Sequence, residues 1–538
     1  MVDGLGVAIL IVAKIGVRGE IGIAFPLMRA DITPSRACGE HGGRYPTVPV
    51  WMTHLAGEPL MRQWMRTRRY LRPTLLGLAI MANFGFFQVA RGQDANVEQN
   101  RTQAEQAYKL GDYTRTINLA STLLESNPND HIALYLRGSA RVEQGILERD
   151  ADKIRTGVAD AREAIRLGGG ENSIYYLPYL YGMTNLSLLE DRKEHAEIAI
   201  QTADQALGIE GLKPDQKSRL LYQRGLAKNA LAQPEEAVKD FEAAIELDPS
   251  LLAAYTAAAS TLAISDRAPQ AKAMYGRAVE KFPENPLVYN NRGDFLRQTN
   301  EVQAAIADYT RALELDPNYF YAATNRGFAL LQQGDAAAAE TDFTASLKIN
   351  PNQPMVYGLR GTARLAQGEF AEAIADHKKA VEMVPESPVA VTDLAFAQFF
   401  AGRFEEAAQS FEKAYGLNPN FRQLQPWRVA ALQELGKKDA AASEYQDVFA
   451  KPAAQRDWID NLLAFQYNKI NAEQLMHAVG AEEPLKTAQT TEAHYFIGRS
   501  QLAAGDTAAA KQSFQQAVAL GARHLSAYRG ATFALQGL

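Results

Sequence analysis

Val288-Tyr-Asn-Asn-Arg-Gly293, then Ala305-Ile-Ala-Asp-Tyr309, Ala312 and Leu315-Asp-Pro317 form the stretch that decides the fold. Its proline belongs to a ladder spaced 34 residues apart: Pro249, Pro283, Pro317, Pro351, Pro385 and Pro419. A ladder of small residues keeps the same register: Gly225, Ala259, Gly293, Gly327, Gly361 and Ala395. A third follows twelve residues behind it: Ala237, Ala271, Ala305, Ala339, Ala373 and Ala407. A fixed period of this length marks stacked units that bury their apolar faces only against their neighbours. Small residues allow two helices to approach closely, and the proline ends the second helix before the next unit begins.

The pattern resembles the tetratricopeptide repeat (TPR), a helix-turn-helix unit. The resemblance implies an all-α, right-handed superhelical solenoid whose concave surface takes protein or peptide partners. Six regular units fall at 218–251, 252–285, 286–319, 320–353, 354–387 and 388–421, filling 218–421. Divergent units with insertions occupy 93–217, with Ala104, Gly138 and Gly182 at their small positions. Residues 422–490 read as degenerate helical repeats, and 491–538 as a final unit with Leu525–Leu538 as its capping helix. The last stretch, Glu492-Ala-His-Tyr-Phe-Ile-Gly498 with Gly505-Asp506 and Tyr528-Arg529, is similar to the final repeat of periplasmic lipoproteins that scaffold cell-wall enzymes.

The net charge of −6 is mild, and no run of Lys or Arg crosses the repeats. A nucleic-acid partner would call for a basic stripe, so none is expected. Before the repeats the chain changes character. Arg66-Thr-Arg-Arg-Tyr-Leu-Arg72, the apolar Thr74–Phe87 and the small residues of Ala90-Arg-Gly92 have the three parts of a signal peptide, here 61–92. The apolar part contains Asn83 and is short of the roughly 20 residues of a membrane span. Cleavage after Gly92 is therefore expected, with a periplasmic or envelope location; an uncleaved signal would leave a membrane anchor instead. Residues 1–60 then read as a non-native upstream extension or a disordered leader. They hold Cys38, the only cysteine, so the expected mature chain has neither disulfide nor thiolate metal site.

Comparison of the repeats with one another exposes a second regularity. Arg precedes the small residue of several first helices, and an acid follows sixteen positions later. The pairs are Arg224–Asp240, Arg292–Asp308, Arg326–Asp342, Arg360–Asp376 and Arg428–Glu444, with Arg137–Asp160 once a seven-residue insertion is discounted. Units without the Arg lack the acid as well, as in Ala258 with Met274 and Leu394 with Ser410. An Arg stranded in a helix seam is costly, whereas an Arg–carboxylate fork is satisfied. These are read as structural ion pairs.

Catalytic signatures are missing: no nucleophile elbow, P-loop, dinucleotide fingerprint or zinc-type His pair. No enzymatic activity, cofactor or metal is expected. His377 stands where other repeats carry Phe241, Tyr275, Tyr309 and Phe343, which reads as packing. The expected peptide-binding face comes from positions 2, 5, 6, 9, 12 and 13 of each unit. It comprises Tyr222, Asn229, Asn290, Asn291, Asp294, Arg297, Gln298, Tyr321, Asn325, Phe328 and Gln332. Amides there would bond a peptide backbone while aromatics pack its side chains. Asn291 and Asn325, at one position in adjacent units, would form a short ladder along a bound peptide. The rival reading is an envelope enzyme or glycan-handling subunit working from 456–490, where Trp458, Phe465 and Tyr467 lie close to Trp427.

Overall fold

The computed structural model describes residues 93–538; the expectations for 1–60 and 61–92 lie outside them. The described chain is all-α, with twenty-five α-helices, four short 3-10 segments and no strand. The divergent repeats hold α1 (Gln93–Lys109), α2 (Tyr113–Ser126), α3 (His131–Glu148), α4 (Ala151–Leu167), α5 (Tyr176–Glu190) and α6 (Lys193–Leu207). The regular repeats follow as α7 (Pro214–Ala230), α8 (Pro234–Leu247), α9 (Leu252–Ile264), α10 (Ala268–Lys281), α11 (Pro286–Gln298) and α12 (Val302–Leu315). They continue through α13 (Phe320–Gln333), α14 (Ala336–Ile349), α15 (Pro354–Gln367), α16 (Phe370–Met383), α17 (Pro388–Phe400) and α18 (Phe404–Leu417). The remainder is α19 (Gln425–Glu434), α20 (Gln446–Ala450), α21 (Trp458–Gln466), α22 (Ala472–His477), α23 (Leu485–Ala503), α24 (Thr507–Ala519) and α25 (Ser526–Gly537). Two compact units divide the chain between Ala329 and Leu330, within α13.

The helix ends follow from local chemistry. Asp112, Asp130, Asp150, Asp335 and Asp506 each accept a backbone N–H of the helix they precede, the usual device for satisfying an open first turn. At the other end, α8, α12 and α18 stop at Leu247, Leu315 and Leu417. Asp248, Asp316 and Asn418 then leave the helix with ψ between 87° and 99°, as expected of a residue that precedes proline.

Within a unit, the first helix (A) and the second (B) pack through the small-residue ladder. A Cβ on Gly225, Gly293, Gly361 or Gly498 would stand 2.5, 2.7, 2.8 or 2.7 Å from Phe241, Tyr309, His377 or Phe514 respectively. Each glycine is thus the floor beneath a B-helix ring. His377 fills its floor as the phenyl and phenol rings do and is almost fully buried.

The turn between A and B carries a ladder that the sequence reading missed. One residue takes positive φ every 34 positions: Ala232, Asp266, Asn300, Gly334, Gly368, Gly402 and Gly436. Glycine populates this region freely and alanine does not. Ala232→Gly, at φ 57°, is expected to stabilise the first unit by about 1 kcal/mol. Urea unfolding of the variant measures it; a loss of stability would mean that chain entropy outweighs the turn strain.

Candidate binding groove

The arginines of the repeats are committed to the stack. Arg292 donates from Nε to Asp308 Oδ2 at 2.7 Å and from Nη2 to Oδ1 at 2.6 Å. The same two-pronged fork joins Arg137 to Asp160, Arg224 to Asp240 and Arg360 to Asp376, at 2.6 to 2.9 Å. Arg428 reaches Glu444 through Nη1 at 2.7 Å and Nη2 at 3.2 Å. Arg326 donates to Thr310 Oγ1 at 3.1 Å, and Asp342 is buried in α14.

Two further layers surround these forks. A second cation four residues on, Arg141, Lys228 or Arg364, also reaches the acid of its repeat. The guanidinium also reaches back to the preceding B helix, through the free Nη1 in Arg224 and Arg360 and through the shared Nη2 in Arg428. Arg360 meets Thr344 at 3.3 Å, Arg428 meets Glu412 at 3.6 Å and Arg224 meets Asp204 at 2.6 Å. The hydrogen bond donated to the acid is the chief reason that Arg224, Arg292 and Arg360 hold their protons more firmly than a free guanidinium. Each such arginine pins its own hairpin, and several also staple it to the repeat before.

The A-helix face of α11 and α13 differs, because its polar groups meet across repeats. Asn325 Nδ2 donates to Asn290 Oδ1 at 3.0 Å and to Asp294 Oδ2 at 3.3 Å. Tyr309 donates from its hydroxyl to Asp294 Oδ1 at 2.7 Å. Burial raises the Asp294 carboxyl above its ordinary range, and the Tyr309 hydrogen bond partly opposes that. The Arg297 guanidinium lies over the Phe328 ring, 4.9 Å from its centroid, while its Nε is buried with no hydrogen-bond partner among the described residues.

Two of the expected face residues are packed. Tyr222 is 2% exposed, with its ring 5.9 Å from that of Phe241, and Asn290 is 5% exposed. Asn229 donates to Thr261 Oγ1 of the next A helix at 2.6 Å. Asn291 and Tyr321 are half-buried, and Gln298 and Gln332 are exposed. Across the repeats, the contact of Asn325 is with Asn290 and Asp294.

In the second unit the aromatics invoked for glycan handling are packed. Trp427 is stacked on Tyr495 at 5.0 Å and meets Phe396 edge-on. Trp458 donates from Nε1 to Glu492 at 2.6 Å, and Phe465 and Tyr467 are buried. Sugar stacking needs an open ring face, which the buried Trp427, Phe465 and Tyr467 do not offer; Trp458 is half-buried. Nearby lies a cavity of about 280 Å³ lined by Gln433, Lys438, Gln466, Asn468, Arg499 and Ser500 among others. Arg499 in its wall is held by Glu434 and by the faces of Phe399 and Tyr495.

Burial displaces several titratable groups of this unit, His377, Asp393 and Glu492 among them. The His377 imidazole is pushed down to about 4, with Arg529 adding to the effect. The Asp393 and Glu492 carboxyls are pushed up to about 7, opposed by Arg529 and by the Trp458 hydrogen bond respectively. A base with a lowered pKa contributes stability that is lost as pH falls from about 6.5 towards 4. A carboxyl with a raised pKa contributes stability present at low pH and lost as pH rises through about 7. Asp393→Asn is therefore expected to gain about 1–2 kcal/mol relative to the parent between pH 5 and pH 8, since Asp393 keeps some exposure. Urea unfolding of both proteins at the two pH values checks this; a constant difference would mean that Asp393 is ionised at both.

Among the described residues no three His, Cys, Asp or Glu side chains gather as metal ligands, and no helix is long and apolar enough to cross a membrane. Paired helices on a 34-residue period, stapled internally and presenting a polar A-helix face, define a helical-repeat interaction protein. Tetratricopeptide repeat models match residues 101–165, 218–251, 324–388, 364–425 and 491–520, and a TPR repeat model matches 293–334. The chain belongs to the tetratricopeptide repeat family, whose folds generally bind protein or peptide partners. No curated protein sequence is significantly similar to it.

Solved structures are similar over parts of the chain. PilF of Pseudomonas aeruginosa is 22% identical with a TM-score of 0.35, over 40% of this chain and 98% of its own. A tetratricopeptide repeat protein of Parabacteroides merdae is 18% identical with a TM-score of 0.34, over 51% and 99%. YrrB, described as a TPR protein with an unusual peptide-binding site, is 21% identical with a TM-score of 0.29, over 36% and 96%.

Proposed function

We propose that this protein is an exported, non-catalytic scaffold of the cell envelope that holds an extended peptide of a partner protein along the concave A-helix face of α11 and α13. The observation that carries this reading is the partnerless, buried Arg297 Nε beside the Asn325–Asn290–Asp294 network. A buried donor without an acceptor is costly, and a peptide carbonyl supplies one. Asn291, half-buried alongside, adds an amide, and Phe328 adds an apolar surface already fixed by its guanidinium partner. The supports for export are the Arg66–Gly92 pattern and the absence of cysteine from Gln93 onward.

The test begins with partners captured from envelope fractions by the 93–538 chain. Asn291→Ala with Asn325→Ala is expected to weaken binding of the captured partner at least tenfold. Glu314→Ala, at an exposed B-helix site, should leave binding unchanged. Equal affinity in all three proteins would place the site elsewhere. N-terminal sequencing of the native protein should return a start near Gln93; a start at Met1 would overturn the address.

A further inference from the structure

The last helix does more than end the stack. α25 packs on α24 and α23, as a capping helix would, but it also lies against α17. The Phe533 ring sits 5.4 Å from Phe370 and 5.3 Å from Phe400. Gly530 allows the close approach to α23, since a Cβ there would stand 2.6 Å from the Tyr495 ring. One turn before Phe533, Arg529 carries its charge to Asp393 and His377. Asp393 and Phe400 occupy positions 6 and 13 of their repeat, the positions that a repeat of this kind turns towards a ligand.

A cap needs only an apolar face for α24. Here the helix also brings the charge of Arg529 to bear on the half-buried Asp393 carboxyl, a feature that an apolar cap does not need. Arg529 and Phe533 are four residues apart on one helical face, the spacing by which an amphipathic helix anchors in a groove.

We propose that the A-helix face of α17, with the edge of α16, is a second docking site, selective for a partner helix that carries Arg and Phe four residues apart, and that α25 is its exchangeable resident occupant. The site lies on other repeats than the face around α11 and α13 and does not depend on it. Under this reading α25 holds the groove closed until a better helix displaces it, so the local opening of α25 governs access.

The probe is a fluorescein-labelled peptide with the sequence of residues 526–538, followed by anisotropy at pH 8, where Asp393 is charged. The 93–538 chain carrying Phe533→Ala, in which α25 is loosened, is expected to bind the peptide at least tenfold tighter than the parent. Adding Asp393→Asn should remove most of that gain, and a peptide with alanine in place of its phenylalanine should not bind. No binding to the Phe533→Ala chain would overturn the proposal. Should that variant fail to fold, hydrogen exchange of the parent decides. Exchange of α25 amides at least tenfold faster than those of α23 and α24 supports an exchangeable occupant. Exchange of α25 together with α24 means that the helix is a cap, and the proposal falls.

Discussion

Arg292→Ala is expected to lower the stability of the first unit by about 2–3 kcal/mol, and adding Asp308→Ala to recover part of the loss. Breaking a buried ion pair from one side costs roughly 3–5 kcal/mol because the other charge is stranded. The side chain of Arg292 is 27% exposed and that of Asp308 only 8%, so the effect falls towards the lower end. The single variant leaves the Asp308 carboxylate in the A–B seam without its two donors at 2.6 and 2.7 Å. The double variant removes both charges and leaves a small void. A coupling of about 1–2 kcal/mol is expected from the full cycle. Urea unfolding of the parent, the two single variants and the double variant reads it directly. Strict additivity would mean that the fork contributes nothing beyond its separate side chains.

Gly293→Ala and Gly276→Ala should move stability in opposite directions, although both replace a helical glycine. A Cβ at Gly293 meets the Tyr309 ring at 2.7 Å, and Tyr309 cannot retreat without giving up its hydrogen bond to Asp294. Overpacking of this kind costs about 1–3 kcal/mol. The open face at Gly276 has nothing within 4 Å, so alanine there gains about 0.5–1 kcal/mol from helix propensity. Gly293→Ala should also weaken the proposed peptide site, because Tyr309 and Asp294 belong to the same network. Thermal melts of the two variants check the signs. A stabilising Gly293→Ala would show that the ring has room to shift.

These expectations rest on features of unequal legibility. The Arg–acid pairs could be read from residues alone, since both partners lie in one hairpin whose geometry repeats. A separation of sixteen places them opposite one another wherever the helices and the turn keep their length. The positive-φ ladder at the A–B turn was harder to see. Glycine holds it at Gly334, Gly368, Gly402 and Gly436, but Ala232, Asp266 and Asn300 hold the same turn without it. Even the chemistry at 16 residues before each arginine varies, with Thr344 and Glu412 in two repeats and Gly276 in another. The staple to the preceding repeat therefore left no uniform trace.

The repeat and its stacking follow from the residues alone: helix length from the proline ladder, close packing from the small-residue ladders, and the Arg–acid fork from two residues that come and go together. Those are short-range constraints, renewed every 34 residues, so local composition is enough to state them. Only the tertiary structure decided that Asn325 reaches Asn290 and Asp294. It also decided that Tyr222 is packed against Phe241 and that Phe533 of α25 lies between Phe370 and Phe400. Such contacts join residues more than 30 to more than 130 positions apart, or, for Tyr222, depend on which way a half-buried helix face is rotated. Small rotations between repeats accumulate along the stack, and no repeat carries in its own residues the sum of the rotations before it.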